Sequence, residues 1–408
     1  VTVAQIKEPP APQSANLVEQ GSAGGSGGSW WSWNPAETNT ELQFPHSIEV
    51  FDAMRRTDAQ CTSVLRGLNL PLLRTPWRLD PNGAKPEVVA LVAEDLGLPV
   101  KGEDSAGVRA RSRDRFSWKA HLASALLMLP LGFMPFEQVY RLDDRGRARL
   151  WKLGPRHPRT ITDMKVARDG GLVSITQSGT KNPIPVRDLV MYVHEREAGN
   201  WLGTSVLRPA YKNWLIKDRL LRVQAQTIDR NGMGVPRYTA AENETDLEPG
   251  KKLATAWRSG ESAGASIPYG AKLDLVGVQG TLPDADKVIR YHDEQIARSV
   301  LAHFLNLGTQ TGSWALGSTF ADFFTMSLQA IADQVADTAT QHVVEDLVDL
   351  NWGPDEPSPR LVCDEIGSQS DATAAAIKLL VDAGVLTPDE AVEKYVRTKF
   401  QLPEKEPA

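Results

Sequence analysis

Between residues 199 and 350 the chain lays down three long amphipathic stretches in a set order, and few folds accommodate them. In GTSVLRPAYKNWLIKDRLLRVQAQTIDRNG, residues Leu207, Tyr211, Trp214, Leu221, Ala225 and Ile228 recur three or four apart, or seven across Asp218. That spacing marks one face of an α-helix. Ser205 is the expected N-cap, Pro209 is tolerated in the first turn, and Asn231-Gly232 is the expected stop. Residues 231–282 read as short strands and turns around one helix, DLEPGKKLATAWRSG. A second helix, DADKVIRYHDEQIARSVLAHFL, follows Pro283 and would run roughly 33 Å at 1.5 Å per residue. In the third, Phe320, Phe324, Leu328, Ile331, Val335, Val343, Leu347 and Leu350 hold the apolar face. Unbroken from Ser318 to Leu350 it would be roughly 50 Å long, well above the usual globular helix. Between the second and third helices lies FLNLGTQTGSWALGSTFADFF. Apolar spacing stops there at Gly308, passes through small and polar residues with one tryptophan, and resumes.

The rest of the chain reads as an α+β domain with appendages. Ile48 to Leu68 has helical spacing, LNLPLLRTPWRLDP alternates like a strand, and PEVVALVAEDLGL is a short helix ending at a glycine. SWKAHLASALLMLPLGF is a helix broken at Pro130; MPFEQVYRL, RARLWKLG, GGLVSITQS and RDLVMYVHE are strands divided by turn residues. Residues 44–198 therefore form one α+β unit. Residues 1–29 are rich in Pro, Gly, Ser and Ala and end in GSAGGSGGS, the composition of a flexible arm. WWSWNP follows, with Trp30, Trp31 and Trp33 crowded together. Such large rings are expected to be buried, on the protein's own core or on a neighbouring subunit. Residues 352–370 are Pro-rich and loop-like, and 371–402 read as a helical hairpin turning at Gly384.

Composition narrows the function. Lys plus Arg number 45 against 51 Asp plus Glu, a net charge of −6, whereas proteins that grip nucleic acid carry a basic excess. Two distant cysteines, Cys61 and Cys363, give neither a disulfide framework nor a zinc site. No apolar run approaches the ~20 residues that span a bilayer. GSWALGST has the outline of a P-loop, but Ser318 stands where the phosphate-reaching lysine belongs and a helix, not a strand, precedes it. The seven histidines show no metal-ligand spacing. His194 with Glu195 and Glu197 reads as a polar turn, and GTSVL lacks the second glycine of a nucleophile elbow. No catalytic set and no cofactor are expected. Arg109, Arg111, Arg113 and Arg115 alternate in a stretch read as a solvated face.

Three segments resemble the tailed-bacteriophage portal proteins, specifically the Mu-like group and its relatives in phages of actinobacteria. They are WNPAETNTELQFPHSIEVFDAMRRTDAQCTSVLRGLNLPLLRTPWRLDP, GTSVLRPAYKNWLIKDRLLRVQAQTIDRNGMGVPRY and LNLGTQTGSWALGSTFADFF. The resemblance covers 44–350 and is most specific over 199–238. It implies the portal fold: an α/β wing at 44–198 with part of 351–371, and a first stem helix within 199–230. A small clip would follow at 231–282, a returning stem helix at 283–305, a tunnel loop at 306–318, a long helix at 319–350 and a short crown at 372–408, after the arm of 1–43.

The resemblance also implies a homo-oligomeric ring of twelve at one capsid vertex, through which double-stranded DNA is packaged and ejected. Partners would be the large terminase subunit, a head–tail connector, and the major capsid protein and scaffold, with no membrane. Gly308, Thr309, Gln310, Thr311, Gly312, Ser313, Trp314 and Gly317 would then line the narrowing of the channel. Arg208, Lys212, Lys217, Arg219 and Arg222 of the first stem helix would face DNA, or else pair with acids or solvent. Trp30, Trp31 and Trp33 would dock on subunits or capsid. Twelve chains at −6 would total about −72, a field that repels DNA on average and suits a conduit. Two other readings stay open: a DNA-processing enzyme, nuclease or ATPase, with its chemistry within 160–200, and a head–tail adaptor that is not a portal.

Overall fold

The computed structural model describes residues 37–103, 116–233, 235–256, 265–276, 285–300 and 314–366, without the side chains of 229–233, 235 and 314–322. The first helical region is split. Asp58 leaves helical space at φ −102°, ψ 123°, and its carboxylate accepts from the Cys61 amide at 2.9 Å. A capped start of this kind separates α1 (His46–Thr57) from α2 (Ala59–Arg74). The stretch expected as a strand from Leu68 onward is therefore helix up to Arg74. Leu65, Leu68 and Leu72 are buried at helical spacing, which outweighs the local alternation, and Pro71 sits inside the helix. Only Trp77–Asp80 (β1) is extended.

α3 (Pro86–Leu96) stops at Gly97, whose φ of +65° ends the helix in the left-handed region. The break expected at Pro130 comes earlier: α4 (Trp118–Ala125) and α5 (Met128–Leu131) part at Leu126–Leu127, and Pro130 lies inside α5. β2 (Phe133–Leu142), β3 (Ala148–Pro155) and β7 (Leu189–Val193) form an antiparallel sheet in the order β3-β2-β7. A second sheet joins β4 (Ile161–Val166), β5 (Leu172–Gln177) and β6 (Ile184–Pro185). β4 was not among the expected strands. Its pairing with β5 shifts register at both ends, so its buried side chains, Ile161 and Met164, stand three apart and hide the period of two.

The first long helix differs from expectation at its start. α6 runs Tyr211–Met233, and residues 206–210 are turns. Pro209 biases Arg208 away from helical backbone, and Ser205 serves another purpose: its hydroxyl donates to the Pro130 carbonyl at 2.6 Å and accepts from the Leu207 amide at 3.1 Å. The helix also passes through Asn231-Gly232 rather than stopping there. Then come β8 (Val235–Thr239), α7 (Glu248–Thr255), β9 (Lys272–Val276) and α8 (Ala285–Arg298), with β8 and β9 paired antiparallel. Gly250 lets α7 lie against this ribbon, since a Cβ there would stand 2.1 Å from the Tyr238 ring.

The last long helix begins at Trp314, ahead of the expected Ser318–Thr319. α9 (Trp314–Ala339) passes through a π-helical turn, Thr340–Val344, into α10 (Glu345–Trp352), a path of roughly 58 Å at 1.5 Å per residue. The wide turn marks where β10 (Arg360–Cys363) docks. Thr340 donates to the Ala336 carbonyl at 2.8 Å and accepts the Leu361 amide at 3.1 Å. β10 in turn pairs antiparallel with β1. One continuous apolar core runs from Leu42 to Ile366 around α9 and α10, and among the described residues of α6 and α8 only Tyr211, Ile296 and Ala297 belong to its buried part. The fold is α+β.

Candidate functional site

α6 and α8 lie side by side, and their root is fastened to the core domain by charge. Lys217 on α6 places its ammonium 2.6 Å from Asp293 Oδ1 on α8 and 2.7 Å from Asp58 Oδ2 at the head of α2. The Lys217 and Asp58 side chains are both buried. Burial alone would lower the lysine pKa, but the hydrogen bonds from Asp293 and Asp58 outweigh it and hold it above the ordinary value. The same burial, with Asp58 beside it, pushes the Cys61 thiol up. One turn earlier, Asn213 Oδ1 is 3.0 Å from His292 Nδ1. Arg208 grips Glu37 through Nε at 2.5 Å and Nη2 at 2.9 Å, and the Tyr211 hydroxyl donates to Glu41 at 2.9 Å.

A backbone knot holds the same root from the other side. The His194 amide donates to Gly132 O and the Thr204 amide to His194 O, both at 2.8 Å; the Val206 amide donates to Leu129 O at 2.9 Å. Gly203, at φ +58°, passes so close that a Cβ would stand 2.4 Å from His194 O and 2.5 Å from Gly132 O. Only glycine fits such a position. His194 is part of this turn, with its Nδ1 2.7 Å from Thr204 O. Glu195 and Ala198 take left-handed backbone at φ 46° and 48°, which is the polar turn read from the sequence.

The basic residues expected to face DNA separate into different environments. Lys217 is buried and paired with both neighbouring carboxylates, because a lone ammonium at that depth requires them. Arg208 is committed to Glu37, and Arg222, though exposed, pairs with Asp218 at 2.8 Å. Lys212 and Arg219 are exposed on α6 with no ion pair among the described residues. Gly308, Thr309, Gln310, Thr311, Gly312 and Ser313 lie outside the described residues, as do Trp30, Trp31 and Trp33. Trp314 and Gly317 lie within the opening turns of α9. Asp58, Asp293 and Glu37 had no signal beyond Asp58 standing before a helix, since their partners are remote in sequence.

The outer surface of α6 is unusually apolar. Ile216 and Val223 are 37% and 48% exposed, Leu221 and Ile228 44% and 63%. At 100° per residue the two pairs stand about 140° apart, one on each side of the stripe, Asn213 and Leu220, that bisects them. Asn213 turns toward α8 through His292. Leu215, also exposed, lies on the face turned away from that stripe; lone exposed apolar residues are ordinary, whereas the two pairs repeat at matching positions on the two flanks.

Among the described residues, no group of three or more His, Cys, Asp or Glu is arranged to hold a metal ion. Nor is any described helix long and apolar enough to cross a membrane. The family described as the portal protein of Mu bacteriophage matches residues 48–402. Among solved structures, the virion of a native gene transfer agent particle aligns over 88% of this chain and 94% of that one, at 12% identity and a TM-score of 0.55. A neck of the native gene transfer agent particle, computed with C12 symmetry, gives the same figures. A crystal structure of an HK97 family phage portal protein from Corynebacterium diphtheriae aligns over 81% of this chain and 95% of that one, at 13% identity and a TM-score of 0.44. The likeness to the particle structures is one of fold, and the family match spans most of the sequence: the chain belongs to the portal protein family of Mu bacteriophage.

Proposed function

We propose that copies of this chain close into a ring of twelve at one capsid vertex and that double-stranded DNA passes along its axis during packaging and ejection. The observation that carries the ring is the pair of apolar flanks on α6. A two-fold dimer joins one patch to its own copy and stops at two. Two different patches on opposite flanks instead suit head-to-tail contact, which continues until a ring closes. The neck computed with C12 symmetry, which shares this fold, supports twelve as the number.

In this reading α6 and α8 are the stem, and residues 231–282 are the clip, which would meet the large terminase subunit during packaging and a head–tail connector afterwards. Capsid protein and scaffold would meet the wing. Of the five expected cations, Lys212 and Arg219, with Arg222 in its exposed pair with Asp218, would be the ones to brush passing phosphates. The glycine-punctuated segment 306–318 would narrow the bore, its outer end carried on the first turns of α9. Replacing Trp314→Ala together with Gln310→Ala would then impair DNA filling or retention in a packaging assay; wild-type behaviour in both measures would remove the loop from the mechanism. The ring itself is tested by mass measurement and negative-stain imaging of the purified protein. A hollow twelve-fold particle is expected, and a monomer or closed dimer at assembly concentrations would overturn the proposal.

A further inference from the structure

A cleft of about 230 Å³ opens beside the point where the described chain begins. Phe44, Phe51, Leu131 and Phe133 form its walls, and Glu197 and Asn200 stand among its polar lining. Glu37 lines it too, held there by the two bonds from Arg208 and by accepting the Asn39 amide at 2.9 Å. We propose that this cleft receives the indole of Trp33 from the same chain and so anchors the N-terminal arm at the junction of stem and wing.

Three observations favour that occupant. The volume lies below the roughly 300 Å³ at which small-molecule pockets begin, so the space suits one large side chain better than a ligand. Its aromatic and aliphatic walls share the cleft with the Glu37 and Glu197 carboxylates, Asn200, Arg208 and three hydroxyls. With Glu37 taken up by Arg208, the Glu197 carboxylate is the acceptor offered to a ring that is apolar in body and carries one N–H donor. Reach settles the source. Trp33 precedes Glu37 by four residues, at most roughly 14 Å of extended chain, and Glu37 is pinned at the cleft. Closing so short a loop costs little entropy, whereas a neighbour's tryptophan would have to displace one already tethered there. Trp30 and Trp31 then remain for a partner surface. The proposal holds whether or not the ring forms.

Hydrogen exchange on the full-length protein tests this, followed at residues 42–51 and 202–205 in wild type, Trp33→Ala, Trp33→Phe and Trp31→Ala. Each would be measured dilute enough to be monomeric and again when assembled. Exchange across α3 and β3 reports that the fold is intact. Trp33→Ala should speed exchange around the cleft by on the order of ten-fold or more, Trp33→Phe should restore most of the protection, and Trp31→Ala should change nothing there, equally in monomer and assembly. Unchanged exchange in Trp33→Ala would overturn the proposal. So would an equal loss in Trp31→Ala, or protection present only in the assembled protein, which would assign the cleft to a neighbour's arm.

Discussion

The core domain and the α6–α8 pair are written in the same amphipathic code and come out differently. In the core domain, the apolar faces of α1, α2, α9 and the two three-stranded sheets meet one another, and residues such as Met54, Leu72, Phe133 and Val344 are fully buried. In the pair, α6 meets α8 along a narrow stripe and leaves Leu221, Ile228, Ile216 and Val223 partly open. A helix whose apolar residues exceed what its partner covers is incomplete in a single chain. The core domain therefore carries its own stability, and the proposed assembly rests on the flanks of α6, with the Lys217 cluster and the Gly203 knot as the seam between the two regions.

The seam is where that contrast breaks with the largest effect. Lys217→Ala would strand two carboxylates beside each other, one of them buried, and should cost roughly 3–5 kcal/mol by denaturant titration. The pH dependence has a defined sign. The lysine pKa is raised in the folded protein, so its contribution is complete at neutral pH. The gap between wild type and variant should shrink only as pH climbs beyond about 10, the ordinary lysine value. Gly203→Ala comes next. Its Cβ would collide with two carbonyl oxygens in left-handed backbone, for about 2–3 kcal/mol. Gly83 has a similar φ, +78°, and nothing within 4 Å, so Gly83→Ala should cost only about 1 kcal/mol. A smaller gap between the two glycine variants would mean that the knot yields.

Inside the core domain, His121 offers a smaller, pH-gated effect. Its Nε2 lies 2.8 Å from the Tyr192 hydroxyl, among Phe136 and Trp118, and burial pushes its pKa down to about 3. Below its ordinary 6.5 the unfolded chain binds a proton that the folded chain refuses. Stability should therefore fall with acidification across the interval from 6.5 to 3, by about 1.4 kcal/mol per pH unit at most. His121→Gln keeps a partner for Tyr192 without titrating, and its denaturation midpoint should be flatter over that interval.

The parts that were legible in the sequence are those whose signal is local. Alternation gave β2, β3, β5 and β7, and a glycine marked the end of α3. The order of helix, β-containing insert, helix and long helix was readable because each segment carries its own periodicity. What escaped depends on distant partners or on irregular backbone. β4 hides its period behind two register shifts. Ser205 looked like a cap because nothing nearby reveals the Pro130 carbonyl it bonds instead. Lys217 looked like the other cations of α6, and only the arrival of Asp58 and Asp293 distinguishes it.

The flanks of α6 should move monomer stability least and assembly most, which makes them the sharpest test of the contrast. Leu221→Asp with Ile228→Asp alters side chains that are roughly half exposed, so the folding free energy of the monomer should fall by no more than about 1 kcal/mol. The ring should nevertheless fail to form, and the same should hold for Ile216→Asp with Val223→Asp on the other flank. Mixing the two variants then separates the geometries. If each subunit meets its neighbours through different flanks, every variant keeps one working flank, and the mixture should assemble into one-to-one pairs that grow no further. If a single flank met its own copy instead, the variant with that flank intact would dimerise alone and mixing would add nothing. Sedimentation of the two proteins, separately and together, decides between these outcomes.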